Sequence, residues 1–164
     1  MERTGRGNRR FKTGMWIVLA FLIATSLATE PWRTPVPGPP ILQGAQVDPH
    51  VLAIFQRSCQ DCHSEVTRYP WYSYVAPASW LVRNDINGGR ERMNLSRWSS
   101  YSVVRKERFL SEIANQVKDR DMPLSQYTLI HRDARLSDAD VDAIFRWTQS
   151  ERARLIADTQ TGAR

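Results

Sequence analysis

The hydrophobic positions of this chain follow the period of an α-helix wherever a period can be recognised, and no stretch of useful length alternates with a period of two. Three stretches carry the helical pattern most clearly: 48–59, 104–117 and 138–154. Between them lie segments without a regular period. The pattern therefore predicts an all-α fold with long loops, and it contains no internal repeat.

Polar residues mark the starts of two of these helices. Asp48 stands at the N-cap position of the first, and Pro49 follows in the first turn, where a missing N–H has no helical partner to lose. Before the third helix, Ser137 and Asp140 resemble a capping box, with Asp where Glu is usual.

The stretch 69–102 is rich in Trp, Tyr, Pro, Gly and Asn and has no sustained period. The Gly88-Gly89 pair predicts an end to any helix that begins around residues 80–86. Aromatic side chains are candidates either for the walls of a cofactor pocket or for ordinary core packing. They are Tyr69, Trp71, Tyr72, Tyr74, Trp80 and Trp98.

A basic segment followed by an apolar one opens the chain. Basic residues up to Lys12 precede an uncharged run over 13–29, whose apolar centre is 15–28. About 14 apolar residues suit a signal peptide better than a spanning helix, which needs about 20. The whole uncharged run reaches the low end of the spanning range, so an uncleaved membrane anchor is slightly favoured over cleavage after Ala28. Because basic residues stay cytoplasmic, both alternatives export the rest of the chain.

Export places the protein at the periplasmic face of the cytoplasmic membrane if it is anchored, or free in the periplasm if the leader is cleaved. Prolines at high density then predict an extended spacer. They are Pro31, Pro35, Pro37, Pro39 and Pro40. The expected organisation is a leader with anchor or signal (1–29), a Pro-rich linker (30–45), one folded domain (46–150) and a polar C-terminal tail (151–164).

Composition and charge narrow the class of protein. The chain is 41% hydrophobic and 24% charged, which is typical of a soluble globular domain and argues against a polytopic membrane protein or a wholly disordered one. Its net charge is +6, but about half of this lies in the leader. Outside the leader no cluster of Lys and Arg is interleaved with aromatics, so nucleic acid is not an expected partner.

One motif calls for a chemical explanation: Cys59-Gln60-Asp61-Cys62-His63, which matches the C-x-x-C-H signature of covalent haem attachment. Residues at i, i+3 and i+4 share a helix face, so two thiols can bond the haem vinyl groups while the imidazole lies under the iron. A disulfide or a thiol-disulfide motif is the alternative, although the latter usually begins a helix. Zinc would need four ligands, and only His50 and His131 remain.

The sixth iron position has several candidates. Met122 is the best, because it lies 59 residues after His63, its thioether is a soft iron ligand, and Pro123 favours an extended loop around it. His131 is a less favoured alternative. Met93 or an open position is the remaining possibility.

Several motifs in order resemble the haem-binding domain family of small exported monohaem proteins. They are CQDCHS, TRYPWYSYVAPASW, NLSRW, DMP with Tyr127 and His131, and LSDADVDAIFRW, and together they cover about residues 46–150. The resemblance implies one covalent haem c and a small cytochrome c-like helical domain, in which Trp147 packs the third helix against the first. It also implies haem attachment at Cys59 and Cys62, with His63 as proximal and Met122 as distal ligand.

With both axial positions filled, the expected function is one-electron transfer rather than catalysis. The alternative is a peroxidase-like haem enzyme or a gas or redox sensor with an open or labile sixth position. Expected partners are redox proteins or a membrane respiratory complex, with the N-terminal segment providing membrane contact.

Overall fold

The structure, a computed structural model, describes residues 4–27 and 38–162, and within these residues every regular element is helical. The helices are α1 (Thr4–Leu27), α2 (Pro49–Ser58), α3 (Gln60–His63), α4 (Ala78–Arg92), α5 (Val103–Lys118), α6 (Ser125–Ile130) and α7 (Asp138–Gly162). Three 3₁₀ turns cover Trp71–Tyr74, Leu95–Ser100 and Arg132–Ala134. The predicted all-α class is confirmed.

The chain divides into two compact units. One comprises Met1–Pro35 and Arg68–Asn87, and the other, the larger unit, comprises Val36–Thr67 and Gly88–Arg164. The larger unit holds the C-x-x-C-H motif, helices α2, α3, α5, α6 and α7, and the last residues of α4. The chemistry predicted from the sequence therefore belongs to the larger unit.

The apolar segment that follows the basic leader lies on α1. This helix begins within the basic stretch that ends at Lys12, so only its later part is continuously apolar. Across residues 4–27 and 38–162, no helix has both the length and the apolar character needed to cross a membrane. The spanning anchor favoured from the sequence is thus not confirmed. Ala28 and the prolines at positions 31, 35 and 37 lie outside the described residues.

Helix α2 begins where the sequence predicts. The Asp48 carboxylate accepts hydrogen bonds from the backbone N–H groups of His50 at 2.8 Å and Val51 at 3.1 Å. Such a cap satisfies N–H groups that have no partner within the helix and is worth about 1 kcal/mol. The capping box of α7 also forms, because Ser137 N–H donates to the Asp140 carboxylate at 2.8 Å and Asp140 N–H donates to Ser137 Oγ at 3.2 Å.

The hydrophobic core of the larger unit lies where α2, α5 and α7 pack together. Phe55 of α2 meets Trp147 of α7 edge-to-face, with ring centroids 5.1 Å apart, so the expected packing of the C-terminal helix on α2 is confirmed. The ring centroid of Trp98 lies 6.5 Å from that of Trp147, and Trp98 is fully buried. The remaining fully buried large side chains are Leu42, Ile54, Leu95, Phe109, Leu110 and Ile144.

Two segments assigned to the linker and the tail belong to this core instead. Ile41 and Leu42 are buried, and Leu42 N–H donates to the Leu95 carbonyl at 3.0 Å, so the end of the linker is part of the folded unit. Helix α7 continues to Gly162, well past the predicted end at residue 154, and Leu155 packs in the core. The polar composition of the C-terminal segment favours solvent exposure, so the burial of Leu155 could not be predicted from it.

The side chain of Glu151 explains why a polar segment can pack inward. It is completely buried, and its carboxylate accepts hydrogen bonds from the Arg154 guanidinium at 2.5 and 2.8 Å and from the Gln46 N–H at 3.2 Å. Trp147 Nε1 donates to the Gln46 carbonyl at 2.9 Å. A buried charge is tolerated when it is paired and hydrogen-bonded, and here the pairing fastens the residues before α2 to α7.

Helix α4 runs through Gly88 and Gly89 and ends at Arg92, so the expectation that this pair breaks the helix is wrong. Glycine is needed at position 89 for a different purpose, a close approach to the C-x-x-C-H motif.

Candidate haem site

A break in the helix at Cys59 carries the motif onto its own short helix. Cys59 N–H donates to the Phe55 carbonyl at 2.9 Å and so ends α2, while the Cys59 carbonyl accepts the His63 N–H at 3.0 Å. This single turn keeps the two cysteines and His63 at the i, i+3 and i+4 positions. Cys59 and Cys62, both within the described residues, are not joined by a disulfide.

The thiol of Cys59 has the wrong acidity for disulfide exchange. Removal of water by the surrounding protein raises its pKa to about 12, with Cys62 adding to the rise and Arg57 opposing it. Thiol-disulfide motifs require a lowered pKa, because the thiolate is the nucleophile. The surroundings of Cys59 therefore argue against thiol-disulfide exchange by the Cys59 thiol.

The imidazole of His63 is oriented by a backbone carbonyl. Its Nδ1 lies 3.1 Å from the Met93 carbonyl oxygen, to which the Nδ1–H donates, so in this tautomer Nε2 carries no proton. Burial lowers the pKa of His63, and the charge of Arg92 acts in the same direction, while the Met93 and Gly89 carbonyls oppose them. A neutral imidazole oriented by a backbone carbonyl is the usual form of an iron or zinc ligand.

Sequence reasoning missed this use of Met93, because it weighed the thioether of that residue as an iron ligand. In the structure the Met93 side chain packs against the hydrophobic core, while its carbonyl orients His63. A backbone acceptor carries no side-chain signal, so the only clue was the position of Met93 between a helical segment and the polar Asn94.

Gly89 lets α4 pass directly against α3. A Cβ atom at this position would lie 2.5 Å from the Cys62 carbonyl oxygen and 3.0 Å from its carbonyl carbon, closer than real Cβ atoms approach backbone. The neighbouring Gly88 has nothing within 4 Å of an added Cβ. Gly89 is therefore needed for close approach to the motif rather than for breaking the helix.

The end of α4 also fastens the segment that leaves the motif. Arg90 Nε donates to the Ser64 carbonyl at 2.7 Å, and its Nη2 donates to Thr67 Oγ1 at 3.0 Å. Thr67 Oγ1 in turn donates to the Asp61 carbonyl at 2.7 Å. The chain on both sides of His63 is thus held by hydrogen bonds within the larger unit.

Met122 lies in the loop 119–124 between α5 and α6 and is partly buried. Tyr127 of α6 donates a hydrogen bond from its hydroxyl to the Asp61 carboxylate at 2.9 Å, which ties this region to the motif. The Tyr127 ring stacks on His131, with centroids 4.4 Å apart and planes 20° apart. The structure therefore brings α6 to α3, and iron ligation by Met122 stays a prediction.

The residues present fit a haem better than a simple metal ion. Within the described part of the chain, no group of three or more His, Cys, Asp or Glu side chains could hold a metal ion. Ser58 Oγ, directly before Cys59, and Trp98 Nε1 are buried with no hydrogen-bond partner among the described residues. A buried donor without a hydrogen-bond partner costs about 1–3 kcal/mol. The two propionates of a haem would offer acceptors for such donors.

The six aromatic candidates between residues 69 and 98 differ in exposure, and Tyr69 and Tyr72 are partly buried. Trp98 is completely buried in the core of the larger unit. Trp71 is 79% exposed, and Tyr74 and Trp80 are also exposed, so these three are not core residues.

Comparison with known families and proteins identifies the class to which this site belongs. The family model of the haem-binding domain matches residues 17–150, which is most of the chain. The chain belongs to the haem-binding domain family. The resemblance drawn from the sequence motifs is thereby confirmed, and this family member binds haem.

A more distant similarity connects the family member to an enzyme. Cytochrome c peroxidase Ccp of Escherichia coli (strain K12) is 27% identical over 109 residues, which is 65% of this chain and 23% of that protein. The chain thus spans less than a quarter of the length of this relative. No solved structure matches the chain.

Proposed function

We propose that this chain carries one haem c, bonded covalently to Cys59 and Cys62 and ligated by His63 and Met122, and that it transfers single electrons outside the cytoplasmic membrane. The observation that supports this best is the geometry of His63, whose Nδ1–H donates to the Met93 carbonyl and leaves Nε2 for iron. A neutral, oriented imidazole one residue after a cysteine pair spaced C-x-x-C is what covalent haem binding requires.

Each protein group would have a distinct task. Cys59 and Cys62 would hold the macrocycle, and the Met93 carbonyl would keep the His63 ring in one orientation. When bound, the haem iron would supply a one-electron couple. A Met122 thioether at the sixth position would raise its potential and leave no vacancy for a substrate.

The location and partners follow from the leader. Its basic residues, which end at Lys12, favour a cytoplasmic N-terminus and export of the haem domain. Electron donors and acceptors would then be exported redox proteins or a membrane respiratory complex. Co-purification of a redox complex with the full-length chain tests this part of the proposal.

A peroxidase-like activity is the second candidate, and the similarity to cytochrome c peroxidase Ccp favours it. It would need an open or labile sixth position and an acid-base group near it. His131 would be that group, with its ring orientation set by the stack on Tyr127. Rapid stoichiometric binding of carbon monoxide to the reduced protein would support this candidate over electron transfer.

Absorption spectra of the full chain, produced with the haem-attachment machinery, test the main proposal. We expect haem to resist acid-acetone extraction and the oxidised protein to show the weak far-red band of sulfur-ligated iron. Met122→Leu should abolish the band and lower the potential, whereas the matched variant Met93→Leu should retain both, since the Met93 carbonyl is unchanged. Extractable haem would refute covalent attachment, and loss of the band in Met93→Leu alone would refute the role of Met122.

A further inference from the structure

The loop that carries Met122 is fastened to α5 at its start. The backbone N–H groups of Asp121 and Met122 both donate to the Gln116 carbonyl, at 3.0 and 3.2 Å. These bonds fix where the loop leaves α5, but they do not fix where it arrives. Its far end is α6, a helix of only six residues. A helix this short is not stable alone, so its position depends on tertiary contacts.

The hydrogen bond between Tyr127 and Asp61 is such a contact, and it reaches the haem-attachment motif itself. Asp61 lies between Cys59 and Cys62 and is only 9% exposed, and its carboxylate accepts the Tyr127 hydroxyl at 2.9 Å. The Asp61 carbonyl is held by Thr67, so the acceptor stands on a fixed backbone. The bond joins residues 66 positions apart, and Tyr127 is five residues after Met122.

We propose that Tyr127 is a positioning residue for the sixth iron ligand. Its hydrogen bond to Asp61 fixes α6 against the helix that bears the haem, and thereby limits how far the loop with Met122 can move from the iron. This inference rests on the proposed ligation by Met122. Because a thioether is a weak ligand, the fraction of molecules with the ligand detached depends on how well the protein holds the loop.

The test uses Tyr127→Phe in the full-length protein with haem attached. Phe keeps the ring that stacks on His131 and removes only the hydroxyl. A hydrogen bond to a carboxylate is worth enough to change a two-state population by about tenfold or more. We therefore expect carbon monoxide to bind the reduced variant about tenfold faster or more, with a weaker far-red band in the oxidised form.

Two further variants separate positioning from general stability. Glu151→Gln weakens the buried pair on α7 and should lower the unfolding midpoint without changing the band or the rate of carbon monoxide binding. Asp61→Asn retains an oxygen acceptor for the Tyr127 hydroxyl and should fall between wild type and Tyr127→Phe. Adding Tyr127→Phe to Asp61→Asn should then have a smaller effect than Tyr127→Phe has in the wild type.

The outcomes distinguish the inference from the proposal beneath it. If the wild-type protein lacks the far-red band, ligation by Met122 fails, whatever Tyr127 does. If the wild type has the band, and Tyr127→Phe leaves both the band and the rate of carbon monoxide binding unchanged, the positioning role is wrong while the proposed function stands. An equal change in Glu151→Gln would also overturn the inference, because a loss of stability alone would then explain the effect.

Discussion

Adjacent glycines in α4 provide a matched pair of substitutions with opposite expected outcomes. Replacing glycine by alanine inside a helix stabilises it by about 0.5–1 kcal/mol, and this gain applies at both positions. At Gly88 the new methyl group has nothing within 4 Å. Gly88→Ala should therefore stabilise the protein by that amount.

At Gly89 the same methyl group would lie 2.5 Å from the Cys62 carbonyl oxygen, an atom of backbone that cannot rotate away. Either α4 or α3 must move by about 1 Å to restore an ordinary contact, and overpacking of this kind costs about 1–3 kcal/mol. The stabilisation from replacing glycine by alanine in a helix is the same in both variants and cancels. The difference between their free energies of unfolding should therefore equal the cost of overpacking at Gly89.

Urea denaturation of the two variants and the wild type measures that difference, which should separate the variant midpoints by about 1 M. Haem incorporation provides a second readout, because moving α3 away from α4 shifts His63 from the Met93 carbonyl that orients it. Gly89→Ala should incorporate less haem than Gly88→Ala when both are expressed identically. Equal midpoints and equal haem content in the two variants would refute the close-approach argument.

Two further predictions concern charged groups of the larger unit. Glu151→Ala should destabilise the fold by about 1–3 kcal/mol in urea denaturation, since it removes the buried hydrogen-bond acceptor of Arg154 and of the Gln46 N–H; a change below about 0.5 kcal/mol would contradict a stabilising role of Glu151. For Asp140, burial alone would raise the pKa of the carboxyl group, but hydrogen bonds from Ser137 and Arg57 outweigh burial and hold that pKa below its usual value. Its contribution to stability should thus be present at neutral pH and be lost as the pH falls below about 4. Asp140→Asn should reduce that loss in urea midpoints measured from pH 6 to 3, and an unchanged pH dependence would refute it.

Local signals in the sequence were sufficient for much of the architecture and for the class of cofactor. The N-cap Asp48 and the capping box of Ser137 and Asp140 act within three residues, so the local sequence predicts where α2 and α7 begin. The C-x-x-C-H motif likewise lies within one helical turn. Such interactions depend only on neighbours along the chain, which is why they can be predicted without a structure.

The wrong expectations share a different physical origin. Glycine is a poor helix former, so the sequence predicts a helix break at Gly89. The close approach that requires glycine there is to the Cys62 carbonyl, which is distant in sequence and adjacent in space. Glu151 lies in the polar segment that the sequence predicts to be a tail. Its hydrogen-bond partner Gln46 lies 105 residues away, so nothing near Glu151 in the sequence indicates that it is buried. In each case the residue type suited a loop or a solvated surface, and a tertiary contact overrode that preference.

The sequence by itself determined that this chain is an all-helical haem-binding domain, where its main helices begin, and which cysteines and histidine form the motif. Only the tertiary structure decided how that motif is supported: by the carbonyl of Met93, by the missing side chain of Gly89 and by the hydroxyl of Tyr127. The physical reason is that cofactor chemistry is specified by residue types at fixed spacing. The support comes from packing and backbone groups, which acquire a role only when distant segments meet.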